Sequence, residues 1–526
     1  MEVTIAIISI LIVLWIVWRK RKLSYFARLK IPGPPPNFFN GNIQELHEKG
    51  PAVCQKEWTK KYGKLVGYYI GLKPMLLISD LELIKLIEIK NFADFADRGD
   101  FVSGEKVLPQ CIRIHSIIDT KGERWKELRT ILTPTFSSSK MKQMMPLMSE
   151  AIETLFDNIK INAEKNKTFD IYNMYARLTM DVIGRTAFGI RTDVQKNQSD
   201  LFFLHCKAMF QNPLDLFSIR MKICFPELMI FADRITVIQD MINKIREKPS
   251  GRGLLSMVSE VIKIRRKDAT TKRQDLLQLM IDANMSVQDV KSTKNDNLMI
   301  SEDSESEAIS SSTSKGLKRY MTDEEIKANA IIFLLAGYET TSSALSFITY
   351  LLATHQDVQE KLRNEINEVV EDETKLDYNA ISKMKFLDQV ISESLRLYSP
   401  SVTFVTRTTN RDIEYKDYII PKGLGIQVAL WSLHHNPEYW PEPEKFMPER
   451  FSSENKSKIQ PMSYQPFGSG PRNCIGMRFA QLEIKMAIAR IIKSYKLITE
   501  EKELKIAYSF GTSHPKHGIK IKAVPV

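Results

Sequence analysis

The chain has little of what would cross-link, break or disorder it. Five cysteines in 526 residues, at positions 54, 111, 206, 224 and 474, are too few and too scattered for a disulfide framework, so a reducing compartment is expected for the main body. Only 22 glycines and 23 prolines exclude collagenous and low-complexity character. The eight histidines form no His-Glu-x-x-His pair, and no Walker or dinucleotide-binding glycine loop occurs. A zinc hydrolase and a chain that binds its own nucleotide are therefore not expected. No zinc-finger spacing, RNA-binding signature or basic zipper accompanies the net charge of +12. Nucleic acid is thus not an expected partner, and the basic excess suits an anionic membrane surface or an acidic protein. Apolar residues are plentiful at 43%, enough for a large core, which excludes disorder over the whole length.

One long hydrophobic run stands out. Val3 to Trp18 is uncharged over sixteen residues, and Arg19-Lys20-Arg21-Lys22 follows directly. As a helix the run spans about 24 Å, near the thickness of a thin endoplasmic reticulum bilayer. A cleaved signal would carry its positive charge before the run, whereas here the cations come after it. Residues 1–22 are thus expected to be a transmembrane anchor with a basic stop. By the positive-inside rule the rest of the chain would face the cytosol. Residues 23–50 read as a hinge, stiffened by Pro32-Gly33-Pro34-Pro35-Pro36, and residues 51–526 as the main body.

Most of the body shows helical periodicity, with short strand patterns at Leu65–Ile70 and Met75–Ile78. Residues 286–320 are rich in serine and acid, with seven serines between Ser301 and Ser314, and are expected to be a disordered surface insertion. Thr322 to Glu325 then forms a capping box that opens a long apolar helix. Within it, Ala336-Gly337-Tyr338-Glu339-Thr340-Thr341 sets a carboxylate and hydroxyls into an apolar run. Either Glu339 is buried because it works there, or it faces solvent while Thr340 bonds back to a helix carbonyl.

Near the carboxyl end lies Phe467-Gly468-Ser469-Gly470-Pro471-Arg472-Asn473-Cys474-Ile475-Gly476, followed by a helical stretch from Met477. Its glycines let backbone amides approach the sulfur. Together with Arg472 and the helix amino terminus, they are expected to lower the Cys474 pKa and favour a thiolate. The loop matches Phe-x-x-Gly-x-Arg-x-Cys-x-Gly, and here the chain resembles the cytochrome P450 family. Four further motifs run in that family's order. They are Trp125-x-x-x-Arg129, Ala336 to Thr341, Glu393-x-x-Arg396 and the Pro448-Glu449-Arg450-Phe451 segment. Details such as Arg273 to Met280 resemble animal microsomal members of the clan containing vertebrate family 3 and insect families 6 and 9.

The resemblance implies a mainly α fold with small β-sheets, the cytochrome P450 fold, behind the N-terminal transmembrane anchor. It implies haem b with Cys474 as the axial thiolate and metal ligand, and Phe467 shielding the sulfur. Trp125, Arg129, Arg407 and Arg472 would reach the haem propionates. Glu393, Arg396 and Arg450 would form a structural ion network. Glu339 and Thr340 would deliver protons on the distal side, where Gly337 would let the helix open. The expected activity is insertion of one atom of O2 into a lipophilic small molecule, with electrons from NADPH-cytochrome P450 reductase and cytochrome b5 as a further donor. Location at the endoplasmic reticulum membrane follows. Two other readings are a P450-fold isomerase or synthase acting on a peroxide without reductase, and a non-catalytic haem or lipid binder. The lining segments expected for the substrate are around 100–118, 201–234, 401–405 and 509–512.

Overall fold

A computed structural model describes residues 1–99, 112, 114–197, 199–210, 217–246, 248–267, 275–283, 320–370, 376–509 and 511–526. The Ser-rich segment, apart from Tyr320, and part of the first lining segment lie outside the described residues. Among the described residues, two helices are long and apolar enough to cross a membrane, and their burial separates them. Helix α1 (Glu2–Leu23) is 6% buried over its apolar window, whereas the helix at Asp323–Thr354 is 83% buried. The first leaves its apolar side chains exposed, and the second is the core of the body.

Arg19, expected as part of the basic stop, is instead wholly enclosed. Its guanidinium lies over Trp15, Phe38 and Phe225 and donates to the carbonyls of Phe38, Phe39 and Cys224 and to Glu227. The positive stop is left to Lys20, Arg21 and Lys22. The proline segment is also packed against the body. Gly67 N donates to Pro32 O at 2.8 Å, and a Cβ at Gly33 would lie 1.8 Å from Gly67 O, so only glycine permits that approach.

The smaller lobe is a four-stranded sheet of β1 (Leu65–Ile70), β2 (Lys73–Ile78), β3 (Thr406–Thr408) and β4 (Gly425–Val428), in spatial order β1-β2-β4-β3. β2 and β4 pair in parallel, the others antiparallel. β1 coincides with the strand its alternation suggests.

The larger lobe packs around the helix Asp323–Thr354. Before it come α2 (Gly122–Leu132), α3 (Ser138–Glu164) and α4 (Ile171–Phe188), so we call it α5. Its capping box forms as expected, with Glu325 N donating to Thr322 Oγ1 at 3.2 Å and Thr322 N to Glu325 Oε2 at 2.8 Å. Small residues along α5 let α4 lie close, and Thr179 Oγ1 bonds Tyr338 O at 2.9 Å. Helix α6 (Lys385–Leu397) carries Glu393 and Arg396, and α7 (Met477–Ser494) leaves the cysteine loop. A hairpin of β5 (Ile506–Ser509) and β6 (Thr512–Pro515) closes against α5.

Candidate haem-thiolate site

Between α5 and the cysteine loop lies a cavity of about 300 Å³. One wall is the loop itself. Gly468 at φ +72° and Gly470 at φ +68° turn the chain in the left-handed region, and Cys474 N donates to Phe467 O at 2.8 Å, so the sulfur is held at the cavity face beside the Phe467 ring. The accessible surface of Cys474 belongs to this cavity and not to bulk water. The sequence suggests a depressed thiol pKa, but the structure places it above its ordinary value. Burial outweighs the Gly476 amide and the pull of Arg129 and Arg98.

Along one edge of the cavity stand Trp125, Arg129, Arg407 and Arg472, brought together from α2, β3 and the loop. Arg129 holds the residue before the cysteine, donating from Nη1 to Asn473 O at 3.0 Å and from Nη2 to Asn473 Oδ1 at 2.7 Å. Arg472 stacks over Trp125 at 4.2 Å, and its donors go to the carbonyls of Ala96, Ile117, Ile118 and Thr120. It faces the cavity as a charge while clamping the chain ahead of α2. Arg407 gives Nη1 to Thr406 O and Nη2 to Glu88. A fourth guanidinium, Arg98, is absent from the motif reading. It donates to Phe404 O at 3.1 Å and lines the same edge. No spacing in the sequence marks it, because it arrives from an irregular segment.

Crowding of these cations shows in their acidities. Burial, followed by repulsion from Arg98 and Arg407, pushes Arg472 down to about 8. Burial likewise pushes Arg98 down to about 10 and lowers Arg129 and Arg407. Glu88 is pushed up to about 7 by burial, against the pull of Arg407 and Arg98.

The opposite wall is α5. Ala336, Gly337, Thr340 and Ala344 line the cavity, with Phe136, Ile183, Phe210, Phe333 and Phe404 extending an apolar surface above them. Of the expected lining segments, Ile117, Ile118, Phe210, Ser401, Phe404, Val405 and Thr512 take part. Met144, Ile183 and Thr186 of α3 and α4 do so without having been signalled.

Thr340 and Glu339 part company. Thr340 faces the cavity and donates to Ala336 O at 2.7 Å, four residues back. Glu339, one residue and so about 100° earlier on the helix, is turned away and does not line it. It accepts from Tyr172 Oη at 2.9 Å and lies 3.6 Å from His514 Nδ1, with the Tyr172 and His514 rings stacked. Burial pushes Glu339 up to about 7 and His514 down to about 4. The expected pairing of acid and hydroxyl at one cavity point is therefore corrected to a hydroxyl inside and an acid behind the helix. The expected opening at Gly337 is corrected too. The helix runs unbroken, and a Cβ at Gly337 would meet Ile183 Cδ1 at 3.1 Å, so the glycine serves close packing.

Glu393, Arg396 and Arg450 assemble as expected, away from the cavity. Glu393 receives Arg396 through both carboxylate oxygens at 2.7 and 2.8 Å, Arg450 Nε at 3.2 Å and Met447 N at 3.0 Å.

The donor set fits a flat, apolar macrocycle bearing two carboxylates. A thiol stands at one face, aromatic and aliphatic groups surround the middle, and guanidinium groups stand at one edge. Among the described residues, Arg98 Nε and Arg407 Nε are buried without partners. Comparison with known proteins gives the same answer. A family model described as cytochrome P450 matches residues 31–523. Human cytochrome P450 3A7 is 36% identical over 510 residues, 96% of this chain and 93% of that protein. Bovine cytochrome P450 3A28 is 35% identical over 529 residues, 100% and 96% of the two chains. Lithocholate 6-beta-hydroxylase of Mesocricetus auratus is 36% identical over 501 residues, 95% and 91%. The chain belongs to the cytochrome P450 family and is a monooxygenase that uses haem b with a cysteine thiolate ligand.

Proposed function

We propose that Cys474 Sγ would bind the haem iron, that Arg98, Arg129, Arg407, Arg472 and Trp125 would hold the propionate edge, and that the substrate is a lipophilic small molecule of xenobiotic, steroid or fatty-acid type. The observation that carries this reading is the convergence of thiol, cationic edge and Thr340 on one cavity. Bound haem supplies the activation of O2 and the insertion of one oxygen atom. The protein supplies the rest. Cys474 would supply a thiolate whose electron density favours that chemistry, and Phe467 would keep water from the sulfur. Arg129 fixes the loop through Asn473, and Arg472 locks the loop to the chain ahead of α2. Thr340 presents the cavity-facing hydroxyl of α5, placed to hold or pass a proton at Oγ1. In this conformation Glu339 accepts from Tyr172 Oη on the far side of the helix, and its proton is not presented to the cavity.

The apolar upper wall excludes water and suits apolar ligands. The name of the hamster relative specifies hydroxylation of lithocholate, which supports a sterol-sized ligand here. Electrons would come from NADPH through the flavin-containing reductase of the endoplasmic reticulum, with cytochrome b5 as an additional donor, since a basic protein surface suits an acidic partner. Helix α1 would anchor the protein there, and Lys20, Arg21 and Lys22 favour a cytosolic body.

Cys474→Ser is expected to abolish the red-shifted absorption band of the reduced carbon monoxide complex while the fold, followed by circular dichroism, persists. A variant retaining that band would overturn the ligand assignment. Thr340→Ala should still bind haem and substrate but divert electrons to peroxide, so product formed per NADPH falls. Turnover with a peroxide alone and none with NADPH and reductase would favour the isomerase or synthase reading. A panel of steroids, fatty acids and toxicants, read by substrate-induced spectral shifts, would identify the ligand class. Protection of the body from protease inside intact microsomes would overturn the orientation.

A further inference from the structure

Glu88 stands inside the cationic edge, and nothing in the mechanism above uses it. It is fully buried in the single π-helical turn Leu86–Lys90, a kind of irregularity often found at functional sites. The turn is pressed against the cysteine loop, and a Cβ at Gly470 would lie 2.0 Å from Glu88 O. A shift at one is therefore felt by the other. Glu88 Oε1 accepts from Arg407 Nη2 at 2.9 Å, while its Oε2 is buried without a partner among the described residues. With Nη1 taken by Thr406 O, Arg407, a residue of the cavity edge, is left with a buried Nε that has no partner among the described residues.

Charge accounting gives this carboxylate a purpose. Four guanidinium groups line the edge, and a haem brings two carboxylates there. Of the protein carboxylates facing these cations, Asp97 lies 4.0 Å from Arg472 and is 36% exposed, and Asp119 acts on Arg98. Glu88 is the carboxylate in direct contact with a cavity-lining guanidinium and shut away from water. A buried charge is screened little, so its sign is felt across the cavity.

We propose that Glu88 is a positioning residue for the cofactor. It aims Arg407 Nε at the propionate edge, and its negative charge holds the haem reduction potential below the value that four uncompensated cations would impose. This rests on the proposed haem site. The relevant step is uptake of one electron by ferric haem. A nearby negative charge disfavours it, because the reduced centre carries one more negative charge.

The test is an equilibrium redox titration of the full-length holoenzyme at about pH 8, above the value near 7 to which burial pushes Glu88, so that its carboxylate is ionised. It uses dithionite and mediator dyes, beside the rate of haem transfer to apomyoglobin. Glu88→Gln removes the charge but keeps an oxygen that accepts from Arg407. It should raise the potential and leave haem transfer near the wild-type rate. Glu88→Leu removes the acceptor as well. It should raise the potential and speed haem transfer roughly tenfold, the cost of one hydrogen bond to a charged group. Arg407→Gln alone should lower the potential, and the double variant Glu88→Gln/Arg407→Gln should return it toward wild type. The double variant replaces a buried ion pair with a neutral pair, so it decides the matter even where Glu88→Leu fails to fold. If Glu88→Gln changes only thermal stability and leaves the potential where it was, Glu88 is a structural partner and the proposal falls. If wild type itself shows no thiolate-type carbon monoxide spectrum, the haem site reading fails first. The two failures are thus distinguishable.

Discussion

Among the described residues, the group of arginines around Glu393 and the group along the cavity edge are both drawn out of bulk water, and they are built differently. In the first, Arg396 is enclosed against Glu393, and its remaining donors go to the carbonyls of His434, Pro443 and Lys445. Every oxygen of Glu393 is taken, with Arg450 and the Met447 amide completing the set. In the second, Arg98, Arg129, Arg407 and Arg472 crowd one cavity edge, each with its pKa held below the ordinary guanidinium value by burial. Both contain arginines taken out of water, which is costly unless charge and hydrogen bonds are matched. The first matches them within the protein and so belongs to the fold. The second places cations where a dianionic cofactor edge can meet them and so belongs to the site.

Breaking the first group should have the largest effect. Glu393→Leu strands Arg396 and Arg450 without their carboxylate and should cost about 3–5 kcal/mol, enough to remove folded protein from expression, as seen by thermal denaturation. A folded, haem-loaded Glu393→Leu would erase the distinction between the two groups.

Arg129→Leu should act next in size and in the other sense. The variant should fold, because a buried cation is replaced by an apolar group, yet lose haem several-fold faster, as Asn473 and the loop lose their tether. Haem transfer to apomyoglobin beside circular dichroism separates the two outcomes.

The acid behind α5 allows a pH test. Glu339 has its folded pKa raised from 4.5 to about 7, so it contributes stability below pH ~4.5 that is lost as pH rises to about 7. Denaturant unfolding at pH 5 and pH 7.5 should show a smaller loss for Glu339→Gln than for wild type, by on the order of 1–3 kcal/mol. Equal slopes would mean that Glu339 is not protonated by its surroundings. Tyr172→Phe removes the hydrogen bond that favours the charged form and should raise the Glu339 pKa further.

The smallest effect is expected at the surface. Lys361 and Glu449 pair at 2.7 Å with their side chains 56% and 50% exposed, one residue from Arg450. Lys361→Ala should change stability by less than about 1 kcal/mol, and high salt should hide even that. A larger loss would show that the structural network extends outward to the surface.

These contrasts mark where motif reading succeeded. The loop around Cys474, the Trp125–Arg129 pair and the Glu393–Arg396 pair are local in sequence, with partners one helical turn apart or one tight turn away. Spacing alone brings them together. The capping box at Thr322 and strand β1 were legible for the same reason. Arg98 and Glu88 reach the cavity from irregular or π-helical chain, and no periodicity announces them. Glu339 shows the converse. Its neighbour Thr340 has the same motif, but one step along a helix turns a side chain to another face, and packing against Tyr172 and His514 decided which.

The sequence by itself determined the family, the thiol, the order of the motifs and the apolar run at the start. These depend on residue type and short-range spacing, which the chain carries wherever it is. Only the tertiary structure decided the rest. It turned Arg19 from a membrane-facing cation into a latch between α1 and the body. It made the less apolar of two apolar helices the buried core. It also raised the Cys474 thiol where nearby amides and cations would have lowered it. Each of these depends on desolvation, and desolvation is fixed by what packs around a group and not by what precedes it in the chain.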